Sequence, residues 1–114
     1  MNESKYQEAL NYLYSLTQSG IKLGLKNTAQ LLQYFGDPQL KIPTVHIAGT
    51  NGKGSTAAIT ESILKASGYK VGLYTSPHLL DFRERIQINR EMIEKQQTVD
   101  LIYKVKSAVE SLKI

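Results

Sequence analysis

The chain has 114 residues, a formal net charge of +4 and no cysteine. It is long enough for a single core, has no thiol for disulfides or metal ligation, and its scattered lysines read as a solvated surface rather than a nucleic-acid face. No apolar run is long enough to cross a membrane, and residues 1–20 are too polar for a secretory leader, so a cytoplasmic setting is expected.

In chain order, Ser4 to Thr17 places Tyr6, Ala9, Leu10, Leu13 and Leu16 at helical spacing, which predicts an amphipathic helix. The loop SGIKLGLK follows. A second short helix is expected from Thr28 to Phe35, with Thr28, Leu31, Leu32 and Phe35 on one face. Gly36, Asp37 and Pro38 should end it, because glycine accepts the left-handed cap and proline cannot continue a helix. TVHIA, residues 44–48, is a β-branched apolar run and a strand candidate. Gly54 to Ser67 predicts a helix with Ile59, Ile63 and Ala66 as core contacts and Gly68 as its stop. KVGLYT predicts the next strand. Strand, glycine loop, helix and strand in this order form a βαβ unit, which implies parallel strands and a right-handed crossover. RIQIN and EMI around Asn89-Arg90 read as a small hairpin. The last helix is expected from Thr98, as its cap, through Leu101, Val105, Ala108 and Leu112. No internal repeat is present.

TVHIA and VGLYT are apolar on both faces, as interior strands of a helix-covered parallel sheet are. Interior strands need neighbours, and only these candidates are present. The sequence is therefore expected to be the front portion of a longer protein.

The segment between them, GTNGKGS, carries the chemistry. Gly49, Gly52 and Gly54 lack a Cβ and let the backbone turn and approach a ligand closely. Successive N–H groups can then point at an anion, and a helix beginning near Gly54 adds its positive end. Lys53 supplies a mobile charge for β- and γ-phosphates, and Ser55 and Thr56 offer hydroxyls to phosphate or magnesium. The common phosphate-loop formula wants glycine where Ile47 stands and Ser or Thr where Gly54 stands. A glycine-rich surface turn with a solvated lysine is the plainer alternative.

TSPHL lies at the C-terminal end of the second predicted strand, where open parallel sheets place their ligands. Ser76 is there a candidate magnesium ligand, since the ion takes oxygen donors and keeps several waters. Magnesium normally wants a carboxylate as well, and Asp81 and Glu84 qualify only by proximity. By itself Ser76-Pro77 also reads as a strand-ending turn. His78 has no second histidine at ligand spacing, and His46 reads as a satisfied strand residue.

Together these motifs form a likeness. GTNGKGS after an apolar strand, then ESILKASGYKVGLYTSPHL and ERIQIN, closely resembles the folylpolyglutamate synthase and dihydrofolate synthase family within the Mur ligase superfamily. IKLGLKNTAQLLQYFGDPQ is similar to that family's leading segment, and the resemblance covers nearly the whole chain. Gly54 favours the folate branch over the Mur ligases proper. The resemblance implies an α/β fold: a P-loop, Rossmann-like parallel-sheet nucleotide-binding domain, incomplete here, with an N-terminal helical segment. Residues 1–114 would be the N-terminal portion of that ATP-binding domain, with its remainder and a C-terminal domain lying elsewhere.

The implied activity is ATP-dependent amide ligation. A carboxylate of folate or dihydropteroate attacks the γ-phosphate, and L-glutamate displaces phosphate from the acyl phosphate. ATP and Mg2+ are the implied cosubstrate and cofactor. Gly49, Thr50, Asn51, Gly52, Lys53, Gly54, Ser55 and Thr56 are the ATP contacts that the resemblance implies, with Lys53 catalytic and Ser76 on the metal. Lys22 and Leu23 fall where some members contact the pterin. Known dihydropteroate sites carry an acidic residue at the first of these positions, so Lys22 departs from the pattern and favours polyglutamylation. His78 to Arg85 resembles a mobile loop beside the folate site, with Arg83 or Arg85 as carboxylate contacts or ordinary surface arginines. The family's other magnesium ligands, a glutamate and a histidine, and its modified lysine would lie beyond Ile114. The chain alone is thus expected to be inactive, and its parent to be a monomer without nucleic-acid or membrane partners. A nucleotide-binding or interaction module completed by a partner chain, and a Mur ligase of cell-wall synthesis, are the alternatives.

Overall fold

Asn2 starts the first helix, its side-chain oxygen accepting a 2.8 Å hydrogen bond from the Ser4 N–H. This satisfies one of the donors that every helix N-terminus leaves free. The computed structural model describes residues 2–18 and 25–114. They form two units, Met1–Thr44 with Lys95–Ile114, and Val45–Glu94.

The first unit is helical. It holds α1 (Glu3–Gln18), α2 (Leu25–Tyr34), a 3-10 turn (Pro38–Leu40) and α4 (Lys95–Leu112). Helix α1 buries Tyr6, Ala9, Leu10 and Leu16, the face predicted from its spacing, while Leu13 is half-buried. Helix α4 packs on α1 and buries Val99, Ile102, Ala108 and Val109. Lys95 pairs with Glu3 and lies 5.2 Å over the Tyr6 ring, and Lys106 lies 5.1 Å over Tyr12. The two helices therefore run in the same direction. Ala9 and Ala108 have no exposed surface, and such small side chains allow backbones to approach. The α4 expectation needs correction. The helix begins at Lys95, so Thr98 is a buried residue of its first turn rather than its cap, and Leu101 is 50 % exposed. Ala108 of the predicted face is buried, and the rest of the burying face lies one residue round, at Val99, Ile102 and Val109.

Helix α2 buries no residue fully. It ends as predicted, with Gly36 at φ 80 and Asp37 at φ 53, and the Asp37 N–H donating to Leu32 O at 2.8 Å.

The second unit holds α3 (Lys53–Ala66), β1 (Gly72–Tyr74), a 3-10 turn (Phe82–Arg85), β2 (Ile86–Ile88) and β3 (Glu91–Met92). Gly68, at φ 95, stops α3 as expected. The expected parallel pair does not form among the described residues. The order is β1-β2-β3, both pairs antiparallel, with Gly72 opposite Ile88 and Ile88 opposite Glu91. Residues 44–48 form no strand, and Val45 is 67 % exposed. The physical reason is local: a strand exists only where another strand accepts its hydrogen bonds. The hairpin supplies that partner to β1 on one side, and residues 44–48 have none. His46 is accordingly exposed rather than a satisfied strand residue. The expected core contacts Ile59 and Ile63 are likewise 61 % and 60 % exposed, and Ala66 is exposed too. Helix α3 turns Glu61 inward instead.

The predicted hairpin forms. Asn89 and Arg90 both take positive φ, 50 and 70, as a two-residue type I′ turn requires. Among the described residues no helix is long and apolar enough to cross a membrane.

Candidate functional site

Gly52 opens α3 in the left-handed conformation, φ 75 and ψ 2, and no side chain caps the helix there. A β-carbon is disfavoured at that φ, so glycine is the natural occupant. Lys53 is the first helical residue. The Gly52 carbonyl accepts both the Thr56 N–H at 2.9 Å and the Thr56 hydroxyl at 2.8 Å. Every residue from Gly49 to Thr56 is exposed. The outcome is a helix start whose leading N–H groups face open space, with Lys53 among them and the Ser55 hydroxyl one step on. Gly54 sits in the first turn without a positive φ, and a β-carbon there would meet nothing within 4 Å. The fold itself does not require glycine at this position. Close approach of a ligand would.

Ser76 follows β1 within the same unit as α3. The turn residue Asn89 accepts a 3.2 Å hydrogen bond from Lys65 Nζ in the last turn of α3. Asn89 also exchanges hydrogen bonds with Val71, 2.8 Å from its N–H and 2.9 Å to its side chain. Strand β1 therefore starts beside the C-terminal end of α3 and contacts that helix. Ser76 is exposed and precedes a cis peptide bond to Pro77.

The carboxylates near Ser76 are committed elsewhere. Glu84 accepts from the N–H groups of Leu79, Leu80 and Asp81 at 2.9, 2.9 and 2.8 Å. These three bonds hold its carboxyl below the ordinary glutamate range, with a smaller contribution from His78. Asp81 caps the 3-10 turn by accepting from the Arg83 N–H at 2.9 Å, and grips the Arg83 guanidinium at 3.0 Å. Arg83 also reaches the Ile93 carbonyl. Arg85 Nε donates to His78 Nδ1 at 2.8 Å, and its guanidinium lies 5.6 Å from the Phe82 ring centre. Asp81, Glu84 and both arginines thus build the 78–85 loop, which presents Leu79 and Leu80 at 90 % and 95 % exposure. The D-x-x-E spacing of Asp81 and Glu84 signals this reciprocal cap in the sequence. Among the described residues no cluster of His, Asp or Glu is arranged to hold a metal.

Lys22 and Leu23 lie outside the described residues. The first unit has an open groove of about 500 Å³ lined by Tyr34, Phe35, Asp100, Tyr103, Lys104 and Ser107, none of them a candidate site residue in the sequence.

No protein-family profile matches the chain. Curated and solved relatives are consistent. The chain is 41 % identical over 107 residues to a dihydrofolate synthase/folylpolyglutamate synthase of Bacillus subtilis, covering 94 % of this chain and 25 % of that protein. It superposes on a folylpolyglutamate synthase crystal structure from Thermotoga maritima with a TM-score of 0.86 at 41 % identity, covering 99 % of this chain and 26 % of the other. A folylpolyglutamate synthase solved with AMPPCP and folate gives a TM-score of 0.82 at 38 % identity, covering 99 % of this chain and 27 % of that one. The chain spans about a quarter or less of the length of the first curated relatives it matches.

Proposed function

The relatives of this chain, in sequence and in structure, are consistently folylpolyglutamate and dihydrofolate synthases, and from that premise we propose that it forms the phosphate-binding part of an ATP-dependent ligase joining L-glutamate to a folate. The observation that carries this reading is the uncapped start of α3 at Gly52, with Lys53 at its first position. A row of free N–H groups, the positive helix end and a full charge together suit the β- and γ-phosphates of ATP.

The chemistry follows from those groups. In-line attack of a substrate carboxylate on the γ-phosphorus breaks the bond to ADP and yields an acyl phosphate. The amine of glutamate then attacks that carbonyl, and phosphate leaves. Both steps concentrate negative charge, and the backbone N–H groups of residues 52–55 with Lys53 stabilise it without reorganising. Thr50, Asn51 and Ser55 orient the phosphates, while both Thr56 donors go to the Gly52 carbonyl and hold the helix start. Dihydropteroate is the second acceptor this reading admits, giving dihydrofolate.

The donor set fits magnesium in part. Ser76 offers a hard, neutral oxygen, and the Ser55 hydroxyl is a second; Asp81 and Glu84 are engaged in the loop. Bound there, the ion would neutralise phosphate charge, with its remaining ligands coming from ATP, water and residues outside this chain. Exposed Val45, Ile59, Ile63 and Tyr74 support covering by further polypeptide, which completes a parallel sheet around residues 44–48 and a Mur-ligase-type domain. If a separate chain supplied that cover, the protein would be the nucleotide-binding module of a complex; Mur ligases of cell-wall synthesis are the more distant reading. A monomeric, cytoplasmic parent belongs to the same proposal.

A chimera tests it. This chain replaces the matching quarter of the Bacillus subtilis relative, and ATP- and glutamate-dependent lengthening of a folate is followed by mass. Activity is expected from the chimera, a loss of at least about a hundredfold with Lys53→Ala, and none from the 114-residue chain alone. A fully active Lys53→Ala chimera would remove the phosphate role from the loop.

A further inference from the structure

Helix α3 and the hairpin turn share an ion pair that the nucleotide reading does not use. Glu61 lies mid-helix with its side chain 3 % exposed, and its Oε2 accepts a 2.8 Å hydrogen bond from Arg90 Nε. Its Oε1 has no hydrogen-bond partner among the described residues. A carboxylate so far from water, with half its acceptor capacity unused, is unfavourable unless a cation compensates it.

Arg90 is unfavourable for a different reason. It occupies the second position of the type I′ turn at φ 70, where glycine is strongly preferred and a β-carbon is disfavoured. Arg90 thus compensates the buried carboxylate, and that contact offsets the local cost of a non-glycine residue at this turn position. Their contact has a geometric consequence. Asn89, the neighbouring turn residue, is held by Lys65 of α3 and by Val71 at the start of β1. The register Gly72 to Ile88 and Tyr74 to Ile86 then carries that position along β1, which ends two residues before Ser76.

We propose that Glu61 and Arg90 are positioning residues, whose contact clamps the hairpin turn to α3 and thereby sets Ser76 relative to the helix start that carries Gly52 and Lys53. The clamp rests on the nucleotide reading for its purpose, but its existence can be tested without a ligand.

The test is a double-mutant cycle on the 114-residue chain with Arg90→Gly, Glu61→Gln and both, read by amide hydrogen exchange at Val71 and Asn89. Arg90→Gly installs the preferred turn dipeptide, yet is expected to speed exchange at both amides about tenfold in the presence of Glu61. With Glu61→Gln the same change should have little effect or slow exchange. Arg90→Lys, which keeps the charge, should fall between wild type and Arg90→Gly, and it serves the cycle if Arg90→Gly fails to fold. Equal effects of the position-90 change in both backgrounds would overturn the clamp.

Positioning is read separately from the amide shifts of Lys53 and Ser76 on adding Mg·ATP. Both should respond in wild type, and Arg90→Gly should keep the Lys53 response while losing that of Ser76. A Ser76 response that survives unchanged would overturn the positioning role. If neither amide responds in wild type, the nucleotide reading fails, and the exchange cycle still decides the clamp.

Discussion

The two units are built on different physics. Of the buried hydrophobic residues described, all but Ile93 lie in the helical unit, where α1 and α4 cover one another. The site-bearing unit is organised by polar contacts: the Glu84 carboxylate gathering three N–H groups, the Asp81–Arg83 grip, and the Glu61–Arg90 pair. Its apolar side chains at Val45, Ile59, Ile63, Leu79 and Leu80 face outward. Apolar burial resists truncation of a side chain in proportion to the area lost, whereas hydrogen-bonded loops hold their shape with little buried area. The helical unit should therefore answer to core mutations, and the other to charge and backbone mutations.

The largest expected effect tests that contrast. Leu10→Ala, in the α1 face, should destabilise the chain by about 2–5 kcal/mol in urea unfolding. Ile59→Ser on α3 should change it by less than about 0.5 kcal/mol. Equal costs would mean that the two units share one core and would break the comparison.

A smaller effect separates two glycines of the loop. Gly52→Ala forces a β-carbon to φ 75 and should cost about 1–2 kcal/mol. Gly54→Ala, inside the first turn and in open space, should stabilise α3 by up to about 1 kcal/mol. If the loop binds phosphate, Gly54→Ala should nevertheless weaken Mg·ATP in calorimetric titration. A stabilised variant with unchanged affinity would show that close approach at Gly54 is not needed.

The smallest effect is local. Folding lowers the Glu84 pKa, so its contribution is fully present above the unfolded value and is lost as pH falls through the folded one. Corrected for intrinsic chemistry, exchange at the Leu79, Leu80 and Asp81 amides should rise as pH falls below the ordinary glutamate range, while α1 amides stay protected. Glu84→Gln should show faster exchange there at neutral pH. Protection that is indifferent to both would remove the carboxylate from the account of this loop.

Much of this was legible before any coordinates. Helical spacing located α1 and its buried face, Gly36 and Gly68 marked two helix ends, and Asn89-Arg90 marked the turn, because each depends on a few adjacent residues. GTNGKGS, with glycines, a lysine and hydroxyls at fixed spacing, and its order with TSPHL carried the likeness to folate ligases. Other features depend on what lies across from a residue. Whether residues 44–48 become a strand, whether β1 pairs parallel or antiparallel, and which side of α4 is buried are all set by neighbours distant in sequence. Ile59 and Ile63 have the spacing of a core face and are exposed, since burial is a property of the partner as much as of the residue. Glu61 and Arg90 show the same rule most sharply. Nothing in the sequence pairs them, and only their contact across 29 positions made one a buried carboxylate and the other its counter-ion.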